Sequence, residues 1–290
     1  MVGKKNRIVQ IIKFLVLVFC VAVFVLPMWL TVTSSFEDSL EFSKKGYSLY
    51  ISRFSILAYK RIFEDTLFWS SFLNSVWVTA ATVVLSVTVN TLTAYVLHEK
   101  DLPFCKTLNF LFVFTMFFSA GMIPTYLIVK SLRLTDTFLA LILPPALGVY
   151  NILLIRNYLY SLPKSMEEAA LVDGANYLQV LLQVIIPVSK PIIVTTALIT
   201  LIGKWNSWMD VLLYISKTGD HAKSMWTVQY YIHTLLNAVG GGNVAADGSS
   251  LQSQQVLSAA IVITVLPVML LFPTLQKYFA NGITLGSVKG

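Results

Sequence analysis

The sequence contains few charged residues for its length. Only 12% of its 290 residues are Asp, Glu, Lys or Arg, whereas an average soluble domain carries about 25%. Hydrophobic residues account for 56% of the chain, and a soluble protein would need more charge to cover so much apolar surface. The composition therefore argues against an ordinary soluble domain and indicates a protein that folds within a lipid bilayer.

The sequence also lacks the usual signatures of catalytic and metal sites. It contains no phosphate loop of the Gly-x4-Gly-Lys-Ser/Thr form, and its histidines, His98, His221 and His233, lack metal-ligand spacing. Each histidine is therefore expected to be a surface or interface residue. The cysteines, Cys20 and Cys105, predict no disulfide framework. We expect no enzymatic activity, metal or cofactor in this chain.

The positive charge is distributed in a way that suits a membrane protein. The net charge of +7 is spread over short loops between apolar runs, without a basic patch that interleaves aromatic residues, so nucleic-acid binding is not expected. The N-terminal segment carries Lys4, Lys5, Arg7 and Lys13 and no acid. Because basic residues stay on the cytoplasmic side and the first helix usually sets the orientation, the N-terminus is predicted to be cytoplasmic.

Six runs of mainly apolar residues alternate with polar segments. The first run is long enough, at about 1.5 Å per residue, to cross a hydrocarbon core of about 30 Å. No small-residue cleavage site follows it, so we predict a retained span rather than a signal peptide. The sequence therefore predicts an all-α membrane protein with six transmembrane helices. The runs occupy residues 14–33, 66–97, 107–129, 137–155, 191–215 and 256–275.

Two of these runs contain residues that interrupt a regular apolar helix. Pro144 and Pro145 must break the hydrogen bonding of the fourth run, which a membrane tolerates only where neighbouring helices or water satisfy the freed groups. Lys204 and Asp210 interrupt the fifth run and are expected near a span end. An ion-coupled transporter remains an alternative, although such proteins usually place several ionisable residues within their spans. A membrane-embedded transferase is a second alternative, but the acids are too dispersed to propose its site.

The polar segments divide the chain. The segment 37–65 is predicted to be a loop with a short helix near 58–63. The polar segment 216–255 is predicted to be a long loop, either external or on the cavity side. We expect three parts: an N-terminal segment with the first span and outer loop, a transmembrane core, and a cytoplasmic tail. Their boundaries are 1–65, 66–279 and 280–290.

The segment 161–187, which lies between the fourth and fifth spans, is amphipathic and charged. Ser165 followed by Glu168 forms a capping-box pattern, which predicts the start of a short helix. Gly174 can end that helix in a left-handed conformation, and a second helix then runs towards Pro187. We predict a helix–turn–helix outside the bilayer. Ala169 and Ala170 leave one face nearly bare, which would let another protein's backbone approach closely.

This segment resembles the EAA loop of ABC importer permeases. The matching residues are Glu168, Ala169, Ala170, then Gly174, then the stretch that ends at Pro187, with Val184 and Ile186 where the family has Ile and Leu. The resemblance extends over nearly the whole chain, including the closing segment 282–290. The chain most resembles the second permease of sugar and oligosaccharide importers of the maltose-transporter class. Within that class, its segments 121–126, 136–138 and 156–157 resemble a branch that imports complex oligosaccharides.

The resemblance implies a fold, a function and a set of partners. It implies a type I ABC importer permease fold in the cytoplasmic membrane of a bacterium, with alternating access driven by ATP hydrolysis elsewhere. The implied partners are a second homologous permease, two ATP-binding subunits that hold ATP and Mg, an extracytoplasmic solute-binding protein and a carbohydrate. The coupling helix that docks on the ATPase would be formed by Glu168, Ala169, Ala170, Asp173, Gly174 and Pro187.

A second set of residues combines aromatic rings with amides, as sugar-binding surfaces do. Trp205 and Trp208 are three positions apart, which predicts one shared helical face. The alternative for these residues is interfacial anchoring or helix packing. The candidate solute pathway comprises Asn74, Trp77, Trp205, Asn206, Trp208 and Tyr214.

Overall fold

The computed structural model describes residues 3–99, 103–215, 219–240, 254–271 and 273. These residues are mostly helical. The helices are α1 (Gly3–Ser35), α2 (Ser39–Lys45), α3 (Leu57–Glu64), α4 (Thr66–His98), α5 (Cys105–Phe117), α6 (Met122–Ser131), α7 (Phe138–Ile142), α8 (Val149–Leu159), α9 (Ser165–Val172), α10 (Tyr177–Val180), a π-helical turn (Leu181–Ile185), α11 (Ile186–Val188), α12 (Lys190–Trp205), α13 (Met209–Tyr214), α14 (Asp220–Lys223), α15 (Val228–Gly240) and α16 (Gln254–Leu271). The predicted tail at 280–290 lies outside the described residues.

Three helices of the described chain are long and apolar enough to cross a membrane: Val9–Ser35 within α1, the whole of α4, and α16. Two bent pairs raise the count to five if each pair crosses as one span. These pairs are α5 with α6, bent by 117°, and Tyr177–Val188 with α12, bent by 80°. The predicted all-helical membrane fold is confirmed, whereas the count of six spans is not.

The breaks between helices explain the difference in span count. The third predicted span, 107–129, is two helices, because α5 ends at Phe117 and the chain turns at Gly121 before α6. Gly121 has a φ of +88°, which glycine adopts without the steric cost of a Cβ. The fourth run breaks as predicted, since the segment with Pro144 and Pro145 separates α7 from α8.

The predicted loop at 216–255 is partly helical. It contains α14 and the longer α15, while residues 216–218 and 241–253 lie outside the described residues. Val228, Tyr231 and Leu235 recur at helical spacing, and the first two are buried. That periodicity is the signal for an amphipathic helix, so the loop assignment of this stretch was wrong. The short helix predicted near 58–63 is confirmed as α3.

The chain forms two compact units, and the first comprises Met1–Trp69 and Ile232–Leu266. Most apolar side chains along α1 are exposed, as expected where lipid is the solvent. Near the C-terminal end of α1, the Ser34 hydroxyl donates to the Ser258 hydroxyl at 2.8 Å. The Glu37 carboxylate accepts hydrogen bonds from two backbone amides of the following loop at 3.0–3.1 Å.

The second unit comprises Ser70–Tyr231 and Pro267–Gly290. Its buried apolar side chains form two clusters, and α4 contributes to both. The Val78 cluster packs α4 with α6, α7, α13 and α15, and includes Val78, Val129, Leu141, Val211, Tyr214 and Tyr230. The Ala94 cluster packs α4 with α8, α10, the π-helical turn and α12, and includes Ala94, Ile152, Ile155, Val180, Ile185 and Ile192.

Candidate functional site

The segment that resembles the EAA loop forms two short helices joined at a glycine. Gly174 has a φ of +89°, and its amide donates to the Leu171 carbonyl at 3.1 Å. The Ala175 amide donates to the Ala170 carbonyl at 3.0 Å. These two bonds form the Schellman arrangement, in which a residue at positive φ closes a helix. The predicted left-handed turn at Gly174 is confirmed.

The predicted capping box at the start of α9 is wrong. Ser165 is the first helical residue rather than the cap, and Lys164 stands before it without a side-chain capping bond. The turn already begins upstream, because the Glu167 amide donates to the Lys164 carbonyl at 3.0 Å. The capping box is found at α10 instead. The side-chain oxygen of Asn176 accepts from the backbone amide of Gln179, and the side-chain oxygen of Gln179 accepts from the backbone amide of Asn176.

The second half of this segment is anchored in the unit's core. Val180, Leu181 and Ile185 are buried in the Ala94 cluster, and Ala170 of α9 packs against that cluster. The anchoring fixes α9 and α10 on the ends of α4 and α8. The local geometry of the turn is therefore set by the core beneath it as well as by Gly174.

Several residues of the same segment remain exposed, and we call them the exposed face of α9 and α10. Val172 is 86% exposed, which is unusual for an aliphatic residue on a segment that is otherwise anchored. Contiguous exposed apolar residues beside polar ones mark interaction surfaces. Pro187 is also exposed but lies in α11. The exposed face consists of Glu168, Ala169, Leu171, Val172, Asp173, Gly174, Tyr177 and Leu178.

Two predicted pathway residues on α4 contact each other. The Asn74 amide donates to the carbonyls of Ser224 and Trp226 at 2.7 and 3.0 Å, and its oxygen accepts from the Trp77 indole at 3.4 Å. The Trp77 ring meets Phe138 edge-on at 4.6 Å between centroids. Asn74 therefore holds the segment after α14 in place, while Trp77 keeps 41% of its surface exposed.

Trp205 and Trp208 do not share a helical face, contrary to the prediction. Trp205 is the last residue of α12, and Trp208 precedes α13 across a turn. The Trp205 ring is only 6% exposed and meets Phe72 edge-on at 5.9 Å. Trp208 packs against the Val78 cluster. The helical-face argument failed because the chain leaves the helix at Asn206, which is the C-cap of α12.

The remaining pathway residues also make internal contacts. The Asn206 amide donates to the Ile202 carbonyl at 2.9 Å. Tyr214 is buried in the Val78 cluster, where its ring lies parallel to that of Tyr126 at 6.4 Å between centroids. The structure thus brings Trp208 and Tyr214 to one cluster and leaves Asn206 at a helix end.

A partly buried ion pair spans the break between α12 and α13. The Lys204 ammonium lies 2.7 Å from the Asp210 carboxylate, which also accepts from the Ser207 hydroxyl at 2.7 Å. The Lys204 side chain is only 4% exposed. The sequence placed both charges near a span end but did not indicate that they pair.

Sequence reasoning missed a group of ionisable residues where α4 meets α9. His98, predicted to be a surface or interface residue, is buried within the chain, and its Nε2 lies 3.7 Å from the Glu167 carboxylate. Its ring packs on Tyr160 at 4.8 Å. Burial, and then the neighbouring Glu99 carboxyl, raise the pKa of Glu167 above its usual value. No sequence spacing indicates this group, because α4 and α9 meet only in the folded chain.

Residues 68–285 match the family described as the binding-protein-dependent transport system inner membrane component. The chain belongs to this family of ABC importer permeases. Members of this family are components of ABC importers, which favours the importer over the ion-coupled transporter and the transferase. The chain is 37% identical over 290 residues to the polygalacturonan/rhamnogalacturonan transport system permease protein YtcP of Bacillus subtilis (strain 168), covering 99% of this chain and 100% of the relative.

Other similarities agree with this assignment. The chain is 27% identical over 280 residues to the arabinooligosaccharides transport system permease protein AraQ of Halalkalibacterium halodurans, covering 94% of each. It also resembles a chain in a solved structure of a bacterial ABC transporter involved in the import of the acidic polysaccharide alginate, with a TM-score of 0.85 and 30% identity over 96% of this chain and 99% of that chain. This similarity confirms the type I importer permease fold.

Proposed function

We propose that this chain is one of two permeases in a bacterial cytoplasmic-membrane importer that moves an oligosaccharide into the cell. The other permease is a homologous chain, a binding protein delivers the solute outside, and two ATP-binding subunits hold ATP and Mg. No nucleotide or organic cofactor is assigned to this chain itself. Six membrane crossings, with both termini and the segment 161–187 in the cytoplasm, are part of the proposal.

One observation carries the coupling part of this proposal. The exposed face of α9 and α10 presents aliphatic residues such as Val172 to solvent, while the residues beneath it are buried in the Ala94 cluster. A surface that is apolar, rigidly supported and outside the apolar runs suits a docking partner. The partner proposed is the ATP-binding subunit, and the contacts assigned to it are those of Glu168, Ala169, Ala170, Asp173, Gly174 and Pro187.

The relatives support an oligosaccharide as the solute. One is named for polygalacturonan and rhamnogalacturonan, another for arabinooligosaccharides, and the solved neighbour for alginate. These solutes share chains of sugar rings rather than one charge or linkage. Trp77 and Trp208 are the proposed stacking residues, because their rings are less buried than those of Trp205 and Tyr214.

The proposal is tested on the assembled complex. The chain is tagged, extracted gently from its native membrane, and every co-purifying subunit is identified by mass spectrometry. We expect a second permease and an ATP-binding subunit, and ATP hydrolysis that rises when a sugar-loaded binding protein is added. Recovery of the chain in folded form without any ATP-binding subunit, from membranes that import the solute, would contradict the proposal.

A further inference from the structure

The group formed by His98, Glu99 and Glu167 has the composition of a metal site. His98 ends α4, Glu99 follows it directly, and Glu167 lies in the first turn of α9. One nitrogen or oxygen from each of the three side chains lies within 4.8 Å of the others. We propose that these three residues bind a divalent transition-metal ion, and that Zn²⁺ fits them best.

The distances suit a metal better than a direct hydrogen bond. His98 Nε2 lies 3.7 Å from Glu167 Oε1, which is longer than a hydrogen bond between these atoms. With Zn–N and Zn–O bonds of about 2.0–2.1 Å, two ligands of a tetrahedral ion stand about 3.3 Å apart. A shift of a few tenths of an ångström in either side chain brings the pair to that separation.

Burial and charge also favour a cation at this place. His98 is 7% exposed and the Glu167 side chain 15%, so water solvates them poorly. Glu99 and Glu167 bring two carboxyl groups together, and Lys164 offsets their charge only in part. A bound dication would neutralise both carboxylates and accept the lone pair of the imidazole nitrogen that faces them. Tyr160, packed on the His98 ring, would keep the imidazole oriented.

The ligand set distinguishes between metals. One imidazole and two carboxylates match Zn²⁺ with water in its fourth position. Mg²⁺ prefers six oxygen ligands in an octahedron, so the imidazole selects against it.

The ion would connect the last turn of α4 to α9 through Glu167, which directly precedes Glu168 of the exposed face. Metal binding can be measured whether or not α9 couples to an ATPase, so the failure of one proposal is distinguishable from the failure of the other.

The test is Zn²⁺ binding to the purified full-length protein in its complex, stripped with chelator and free of nucleotide. Isothermal titration and metal analysis after gel filtration should find one Zn²⁺ per copy of this chain above any bound by the other subunits, unaffected by millimolar Mg²⁺. His98→Gln and Glu167→Gln should each weaken this binding at least tenfold. His98→Cys, which supplies another zinc ligand, should retain it.

Controls separate this site from adventitious binding. His221→Gln and Glu64→Gln remove exposed or partly exposed groups elsewhere and should leave binding unchanged. Glu99→Gln serves as a milder variant if His98→Gln fails to assemble, because Glu99 lies outside the helix. Undiminished Zn²⁺ binding in a correctly assembled Glu99→Gln or Glu167→Gln complex would overturn the proposal, as would the absence of this Zn²⁺ from the wild type.

Discussion

The backbone amide of Ala175 donates a hydrogen bond to the carbonyl oxygen of Ala170 at 3.0 Å, across the turn that ends α9. This bond closes the turn only because Gly174, between them, adopts a φ of +89°. A side chain in the left-handed region costs about 1–2 kcal/mol. The bond therefore makes the shape of the exposed face dependent on one glycine.

Replacing this glycine should uncouple the transporter without removing it from the membrane. In Gly174→Asp, no atom beyond the neighbouring residues in the chain stands within 4 Å of the new Cβ, so the effect arises from backbone strain and not from a clash. We expect weaker co-purification of the ATP-binding subunit and lower uptake at normal membrane level. Gly46→Asp is the matched control, since Gly46 also has positive φ and open space but ends α2. Normal co-purification and uptake in Gly174→Asp would contradict the coupling role.

Enlarging Ala169 should act in the same direction for a different reason. Ala169 is exposed on α9, so Ala169→Trp folds normally but obstructs a partner that approaches the helix closely. We expect reduced ATP-binding-subunit recovery together with reduced solute-stimulated ATP hydrolysis. Ser43→Trp places the same ring on an exposed position of α2 and should change neither quantity. Equal behaviour of the two variants would argue against docking at α9.

Trp205 and Trp77 should respond differently to truncation. Trp205→Ala removes a buried ring packed on Phe72, and such truncations cost about 3–5 kcal/mol. Its main effect should be lower thermal stability and impaired assembly. Trp77→Ala removes a partly exposed ring, so uptake should fall while stability and basal ATP hydrolysis change little. Thermal unfolding in detergent and uptake in vesicles separate the two outcomes, and the reverse pattern would exchange their roles.

Lys204 and Asp210 should show strong coupling in a double-mutant cycle. Lys204→Met leaves Asp210 with only the Ser207 bond, and Asp210→Asn leaves a buried ammonium without its counter-charge. Breaking a buried pair costs about 3–5 kcal/mol, although the partial exposure of Asp210 reduces that figure. We expect each single variant to lose stability and the double variant to lose less than the sum. Additive losses would mean that the pair contributes no interaction energy.

The proposed orientation is open to a labelling test. In a background with Cys20 and Cys105 replaced by Ala, a cysteine at exposed Ser161 should react with an impermeant reagent only after the membrane is opened. A cysteine at exposed Ser43 should react in intact cells. The opposite result would reverse the orientation and place the segment 161–187 outside the cell.

Sequence patterns predicted the features that depend on local chemistry. The uncharged runs of α1 and α4 form continuous helices. Such helices can be predicted from sequence because an apolar run of about 20 residues matches the thickness of the hydrocarbon core. Gly174 ends α9 and the Pro144–Pro145 pair separates α7 from α8, both at the predicted positions. These effects are predictable because the conformational preferences of glycine and proline act on the local backbone. The capping box predicted at Ser165 is absent, because backbone carbonyls of the preceding turn already accept hydrogen bonds from the first amides of α9. The structure has a capping box at Asn176 instead.

Features that depend on contacts between distant segments were beyond the sequence. The bend at Gly121 gives no stronger signal than other glycines in the chain. The pairing of Lys204 with Asp210 requires the break between α12 and α13. Nothing in the sequence indicates that break, because the residues around it read as one apolar run. His98 meets Glu167 only because α9 folds back on the end of α4. The amphipathic spacing of α15 was present in the sequence, so that helix was predictable.

Helix α4 is continuous from the Val78 cluster to the Ala94 cluster. At about 1.5 Å per residue, Val78 and Ala94 stand about 24 Å apart on one axis. A tilt of about 5° at one end therefore displaces the other by about 2 Å, without any change in the hydrogen bonds of the helix. The same rod carries Asn74 and Trp77 near its first cluster and His98 at its far end. Because α4 is one continuous helix, a rigid tilt that moves its end beneath α9 would also move the end that carries Trp77.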